Sequence, residues 1–296
     1  MAKICYVEQT FRTKTLKLLA LVDEIAARYV AQGYKLTVRQ LYYALVAGGH
    51  IPNNPKEYGH IKDAVKNGRM AGLIDWDAIE DRTRYTRGNT HWTDPADILA
   101  SVSVQYMTDR RRTQPNYIEC WIEKDALVGV LEPLARELDV PCLSCRGYSS
   151  TSAMREAALR FKAEGEREGR YIIYAGDHDP SGLDIPRAID EAMKTFGADV
   201  KVERIALTRE QIDRYRPPVN PAKETDTRAA AYIKEHGQYS WELDALEPQV
   251  LAGLYRDKVA ELTDEGLLRE AVESEAADRE KLARLYRRWD YVSAIV

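Results

Sequence analysis

The chain is expected to be an α/β protein, on three observations. From about residue 116 to 206, short apolar runs of strand type alternate with amphipathic runs of helix type, the order that builds a parallel sheet with helices on both faces. The stretch before it is helical and punctuated by glycine and proline. Charge divides at the same place: residues 1–114 hold 17 Lys+Arg and 12 Asp+Glu, a net +5, and the remainder holds 26 and 35, a net −9.

In the front part, Leu18, Leu21, Val22, Ile25 and Tyr29 recur at helical spacing over residues 13–32, and Gly33 stops the run. A second helix opens at Thr37, a good N-cap, and closes at Gly48 and Gly49. After the turn IPNNP, a third helix is spaced by Tyr58, Ile61, Ala64 and Val65. LIDWDAIEDRTRYTR follows with short extended stretches. Helix, short helix, helix and strands is the order of a winged helix-turn-helix, with the third helix offered to a DNA groove. Residues 1–112 are therefore expected to be a winged-helix DNA-binding domain, with Arg69, Arg82 and Arg84 as candidate phosphate contacts beside His60, Lys66 and Arg87. A solvated basic face explains the same residues.

The run 109–115, DRRRTQP, reads as an exposed linker. Beyond it NYIECWIE, VPCLSC, GRYIIYAG and DVKVERIAL are strands, separated by three helices. Residues 113–296 are thus expected to form a Rossmann-like parallel-sheet domain with a helical C-terminal extension. In such sheets chemistry collects at the carboxyl ends of the strands. Glu123 falls there after the first strand, and Asp177 and Asp179 after the third. Two carboxylates spaced D-x-D can turn toward one divalent ion, and a third from a neighbouring strand can hold a second ion or move a proton. Turn formation and helix capping are the other use of the same pattern.

No stretch approaches the roughly 20 apolar residues of a membrane span, and MAKICYVEQTFRTK lacks the apolar core of a signal peptide. Four cysteines give no disulfide framework, and Cys142-x-x-Cys145 has no second pair to complete a zinc site. A cytoplasmic, nucleoid-associated protein with reduced thiols is expected. A basic front half joined to an acidic back half suits a DNA-contacting module followed by carboxylates that need metal, though ordinary solvated surfaces give the same count.

CWIEKDALVG, then RGYSS, then YAGDHDPSGLDI follow the order and strand-end placement of a Toprim domain, the metal-dependent unit of topoisomerases, bacterial primases and certain nucleases. Together with WELDALEP at 241–248, they resemble the A subunit of topoisomerase VI and its meiotic double-strand-break relatives over residues 115–250. The resemblance implies Glu123, Asp177 and Asp179 as ligands of Mg²⁺ or Mn²⁺, with Arg146 near an incoming phosphate. Glu242 and Asp244 are possible further acids, although carboxylates at a helix start are commonplace. Lys124 and Asp125 accompany the motif, Asp125 as a helix cap, and His178 is expected to point away.

That family cuts DNA through a tyrosine preceded by an arginine, and TVRQLYYALV supplies Arg39 and Tyr43, four residues apart on one helix face. Tyr42 shares the stripe of Val38, Leu41 and Leu45 and reads as core. Tyr43 falls outside it and is expected to be exposed on a DNA-facing surface. The resemblance implies tyrosine transesterification by at least a homodimer, each tyrosine meeting the other chain's metal site. Two further readings stay open: a Toprim endonuclease using metal-activated water, and a catalytically silent DNA-binding protein. No Walker A motif is present, so strand passage would require a separate ATPase subunit.

Overall fold

The structure, a computed structural model, describes residues 3–79, 89–222 and 225–289. Three helices form the front unit: α1 (Thr13–Ala31), α2 (Val38–Ala47) and α3 (Pro55–Met70). Local chemistry sets their starts. The Thr37 hydroxyl accepts the Gln40 N–H while Gln40 Oε1 accepts the Thr37 N–H at 2.9 Å, a reciprocal capping box. Asn54 caps α3, with Pro55 in the first turn where a missing N–H costs nothing. Leu19, Val22, Leu41, Leu45, Ile61 and Val65 close into one core. The three expected helices are present. Of the expected wing, the described residues through 79 form only the single bridges Cys5–Ala71 and Leu36–Ile79, and the rest of the segment lies outside the described residues. Arg82, Arg84 and Arg87 lie outside the described residues.

α4 (Pro95–Gln105), capped by Asp94, was not anticipated from the sequence. The alternating region then delivers β1 (Asn116–Ile122), α5 (Val128–Leu138), β2 (Cys142–Ser144), α6 (Thr151–Ala163), β3 (Gly169–Ala175), α7 (Pro180–Thr195) and β4 (Lys201–Ala206). The four strands run parallel in the order β2-β1-β3-β4. α8 (Arg209–Tyr215), β5 (Val219–Pro221), α9 (Ala229–His236) and β6 (Tyr239–Trp241) follow, β5 and β6 pairing antiparallel. α10 (Pro248–Glu261) and α11 (Glu265–Arg287) end the fold.

Side chains alternate across β1 as strand geometry requires. Ile118, Cys120 and Ile122 pack with Ile173 and Ala175 under α5 and α10, whereas Trp121 joins Ile172 and Tyr174 under α6 and α7. Glu119, on the second face, is fully buried and offset by the Arg160 guanidinium at 2.8 and 2.9 Å. With every strand parallel, all their carboxyl ends open on one edge.

The segment 109–114 is not the exposed linker expected. Arg111 is buried, donating to the Leu138 carbonyl at 2.7 Å and to Thr263 at 3.0 Å. Gln114 is buried and exchanges hydrogen bonds with the Asp264 backbone at 2.9 and 2.7 Å. Arg110 grips Glu275 of α11 at 2.7 and 3.1 Å, and the Thr108 N–H donates to the same carboxylate. Counting charge and proline did not reveal that Arg110 and Arg111 have partners far along the chain.

Trypsin should therefore cleave slowly at Arg110, Arg111 and Arg112 in the native chain. Glu275→Ala leaves Arg110 and Arg279 without their shared acceptor and should cost about 2 kcal/mol. Timed digestion of the two proteins checks this: faster cutting at these arginines in the variant is expected, and equal rates would show the clamp is idle.

Candidate functional site

The acids singled out in the sequence sit at the ends of the two central strands. Glu123 follows β1 directly, its N–H donating to the Ala175 carbonyl at 2.9 Å, so the ladder to β3 extends one residue past the strand. Its Oε2 accepts the Asp177 N–H at 2.8 Å and the Tyr174 hydroxyl at 3.3 Å. Asp179 caps α7, accepting the Gly182 N–H at 2.6 Å and the Ser181 hydroxyl at 2.9 Å. Capping, the commoner use of D-x-D, is thus realised here, and it turns the loop so that Asp177 and Asp179 both act on Glu123 or its neighbours electrostatically.

Glycine makes this closeness possible. A Cβ at Gly182 would lie 2.3 Å from the Asp177 carbonyl oxygen and 3.1 Å from Glu123 Oε2. One at Gly176 would lie 2.6 Å from the same Oε2. Arg204, from β4, fixes the loop from beneath, donating to the carbonyls of Gly182 at 2.5 Å, Asp177 at 2.7 Å, and Gly176 and Leu207 at 3.1 Å.

A second acidic layer comes from the 3-10 turn Leu243–Ala245 and the residue before it. Lys124 Nζ stands 2.9 Å from Asp177, 2.8 Å from Glu242 and 3.1 Å from Asp244. Asp177 Oδ1 also accepts the Leu243 N–H at 2.8 Å. Arg39 reaches over from α2 to pair with Glu242 and, at 3.0 Å, with Asp244. Both Asp244 oxygens are buried, and these ion pairs balance their charge without well-aligned hydrogen bonds. Burial opposes the charge on Lys124, but its three acids outweigh burial and hold it firmly protonated. One ammonium serves three carboxylates, and Asp177 also faces Glu123. Burial first, then Glu123 and Asp244, push its carboxyl up to about 7 against the pull of Lys124. Burial likewise raises Glu123, and Asp179 adds to it.

Tyr43 is placed differently from the sequence expectation. It is buried, 5% exposed, not open on a DNA-facing surface. Its hydroxyl interacts with Asn220 and Glu242, and Arg39 stands 5.9 Å over its ring. Burial and Glu242 raise the phenol to about 12 despite Arg39. Helical phase separated it correctly from the α2 stripe, but β5 and the segment after β6 cover that other face. Tyr42 is core as expected, bonded to Asn53 at 2.8 Å. Tyr43, Arg39 and the acids therefore meet within one chain.

The remaining candidates scatter. Arg69 lies 4.4 Å over the Trp76 ring and donates to the Trp76 carbonyl at 2.7 Å, partners that hold it in the front unit. Arg146 is exposed and pairs with Asp125 at 3.1 Å, so Asp125 holds an arginine where capping was expected. His178 faces away from the acids toward Tyr232, 3.0 Å from its hydroxyl, and burial beside His236 lowers it to about 4. Cys142 and Cys145 are free thiols, both raised by burial. Sequence reasoning missed Arg204 and Asn220 and gave Lys124, Glu242 and Asp244 too little weight. The repeated acid pattern WELD was the one signal for the last two.

No family model, characterised protein or solved structure matches the chain.

Two outcomes follow from this geometry. Gly182→Ala should destabilise the fold by about 1–3 kcal/mol through overpacking, read as a lower midpoint of denaturant unfolding. An unchanged midpoint would mean the loop has room to move. Burial favours the neutral form of Glu242, but Lys124 and Arg39 prevail and hold it at about 2, below its ordinary 4.5. A depressed carboxyl contributes in full above 4.5 and loses that contribution as pH falls toward 2. Stability should consequently drop more steeply over that window in the native protein than in Glu242→Gln, and parallel curves would remove Glu242 as the source.

Proposed function

We propose that the chain is a Mg²⁺-dependent DNA-cleaving protein, a Toprim-type domain with a front unit resembling a winged helix, similar to the topoisomerase VI A subunit. The observation that carries the proposal is the meeting of Glu123, Asp177 and Asp179 at the carboxyl ends of the two central strands β1 and β3, with Arg39 and Tyr43 brought to the same cluster.

The donor set fits a hard divalent ion. Only carboxylate oxygens are offered, as magnesium prefers, and burial first, with neighbouring carboxylates adding to it, raises Asp177 and Glu123. Among the described residues no three acidic, histidine or cysteine side chains are already spaced around one point as ligands. Glu123, Asp177 and Asp179 are the residues that would hold the ion, each keeping one oxygen on its backbone N–H donor. A bound Mg²⁺ stabilises charge on phosphate oxygens during displacement.

In this reading Tyr43 attacks the phosphorus, its oxygen forming the new P–O bond while the deoxyribose oxygen leaves. The phenol proton passes by way of solvent to the departing deoxyribose oxygen, which leaves as the free hydroxyl, and Arg39 beside the ring favours the phenolate. Lys124 keeps Asp177 and Glu242 oriented. A second reading, hydrolysis by water with no covalent intermediate, is favoured by one observation: the Tyr43 hydroxyl is buried and raised to about 12.

Incubation with supercoiled DNA and Mg²⁺ or Mn²⁺, denatured with and without protease, tests both. Native protein should yield cut DNA carrying bound protein, Tyr43→Phe should lose it below detection, and Asp177→Ala should lose cleavage altogether. Undiminished cutting by Tyr43→Phe would establish hydrolysis. No cutting by any protein would leave a silent DNA binder.

Metal binding supplies a further check. A carboxyl raised to about 7 must ionise to ligate, so Mg²⁺ affinity measured by calorimetry should climb with pH, by up to about tenfold per unit, and level off above 7. A flat profile would exclude Asp177 as a ligand.

A further inference from the structure

Lys124 follows Glu123 at the end of β1, and its Nζ stands where three acids meet: Asp177 at 2.9 Å, Glu242 at 2.8 Å and Asp244 at 3.1 Å. An ammonium has three N–H donors and no acceptor, so three carboxylates engage all of them. The surroundings are closed. Asp177 and Asp244 are both buried, and neither Asp244 oxygen makes a well-aligned hydrogen bond among the described residues. A buried carboxylate ordinarily satisfies its oxygens with directed donors. Oxygens gathered round one point and held there by charge form the coordination sphere of a cation, and the cation present is the chain's own lysine.

Asp177 belongs to two groups of acids. With Glu123 and Asp179 it makes up the candidate magnesium centre, and with Glu242 and Asp244 it surrounds Lys124. Two-ion phosphodiester chemistry sets its cations about 3.5–4 Å apart, and two acid groups that share a member can hold such a pair side by side. Here one of the two places is taken by a tethered single charge. The distances suit it: magnesium draws its oxygens in to about 2.0–2.1 Å, whereas the ammonium keeps these three at 2.8–3.1 Å. Charge leads to the same assignment. Three carboxylates face two cations, Lys124 and Arg39. A divalent ion in place of the ammonium, together with Arg39, would balance all three.

We propose that the Lys124 ammonium occupies a divalent-cation position, the second of a pair, and that Asp177, Glu242 and Asp244 bind Mg²⁺ or Mn²⁺ once it is removed. That the position is second to another rests on Glu123, Asp177 and Asp179 being metal ligands; the assignment of Lys124 does not. Counting bound Mn²⁺ by equilibrium dialysis of the full chain, in buffer free of potassium and ammonium, tests both. The native protein should hold one ion and Lys124→Met two, with the added ion lost again when Glu242→Gln and Asp244→Asn are combined with it. Glu242→Gln alone should leave the native count unchanged, because the lysine fills that place. Lys124→Met leaves three carboxylates facing one arginine, so saturating Mn²⁺ should raise its unfolding midpoint by more than the native one. A variant that stays unfolded in Mn²⁺ would overturn the proposal. So would a native chain holding two ions, a Lys124→Met chain holding no more than the native, a Glu242→Gln chain that loses an ion, or an added ion that survives loss of both acids. No ion in the native chain and one in Lys124→Met would end the magnesium reading of the first centre while bearing out the assignment of Lys124.

Discussion

The shared ammonium of Lys124 is the interaction on which the rest of the site depends. Asp177, Glu242 and Asp244 come from two segments more than sixty residues apart, and all three end within 3.1 Å of one nitrogen. Buried carboxylates are costly unless paired, so the 242–244 turn can lie against the strand ends only because a cation already stands there. One positive charge does not offset three negative ones, and the front unit supplies part of the deficit. Arg39 enters as the second cation, which fixes α2 against the turn and accounts for the joining of the two parts at this point. The burial of Tyr43 is a consequence of that docking.

Beneath this layer the backbone is arranged with equal economy of space. Gly176 and Gly182 let Glu123 approach the D-x-D loop, and Arg204 occupies the carbonyls that the loop turns inward. The acids are therefore placed by main-chain hydrogen bonds and not by side-chain packing. An amide N–H donating to each carboxylate keeps one oxygen directed while leaving the other to face its neighbours. Such an arrangement tolerates little added volume and concentrates negative charge, the condition under which carboxyl groups shift upward.

Much of this was legible in the sequence, and the limits are physical. Periodicity reports how a segment relates to its own axis, so α1 to α3, β1, β3 and α7 were found, and Tyr42 was assigned to the core. It does not report what arrives from elsewhere in the chain. Tyr43 lies off the stripe of α2, but Asn220 and Glu242, nearly two hundred residues later, bury it. Arg204 lies in an ordinary strand pattern, and three of its four carbonyl acceptors belong to a loop over twenty residues earlier. The charge run 110–112 looked solvated because its partners, Glu275, Leu138 and Thr263, are invisible locally. Glu242 and Asp244 were visible but ambiguous, since acids before a helix usually answer to its dipole.

On the DNA-cleaving reading, the closed arrangement has a direct chemical implication. A phosphodiester approaching the strand ends carries the same kind of charge that Glu242 and Asp244 carry, and Arg39 binds planar oxyanions of either sort through its fork of donors. Phosphate can replace carboxylate on Arg39 with little change in hydrogen bonding. The exchange would release Arg39 from Glu242 and Asp244, which Lys124 continues to hold, while leaving Arg39 beside the Tyr43 ring. Substrate contact and nucleophile activation would then fall on one guanidinium, because Arg39 both pairs with the acids and stands over the Tyr43 ring.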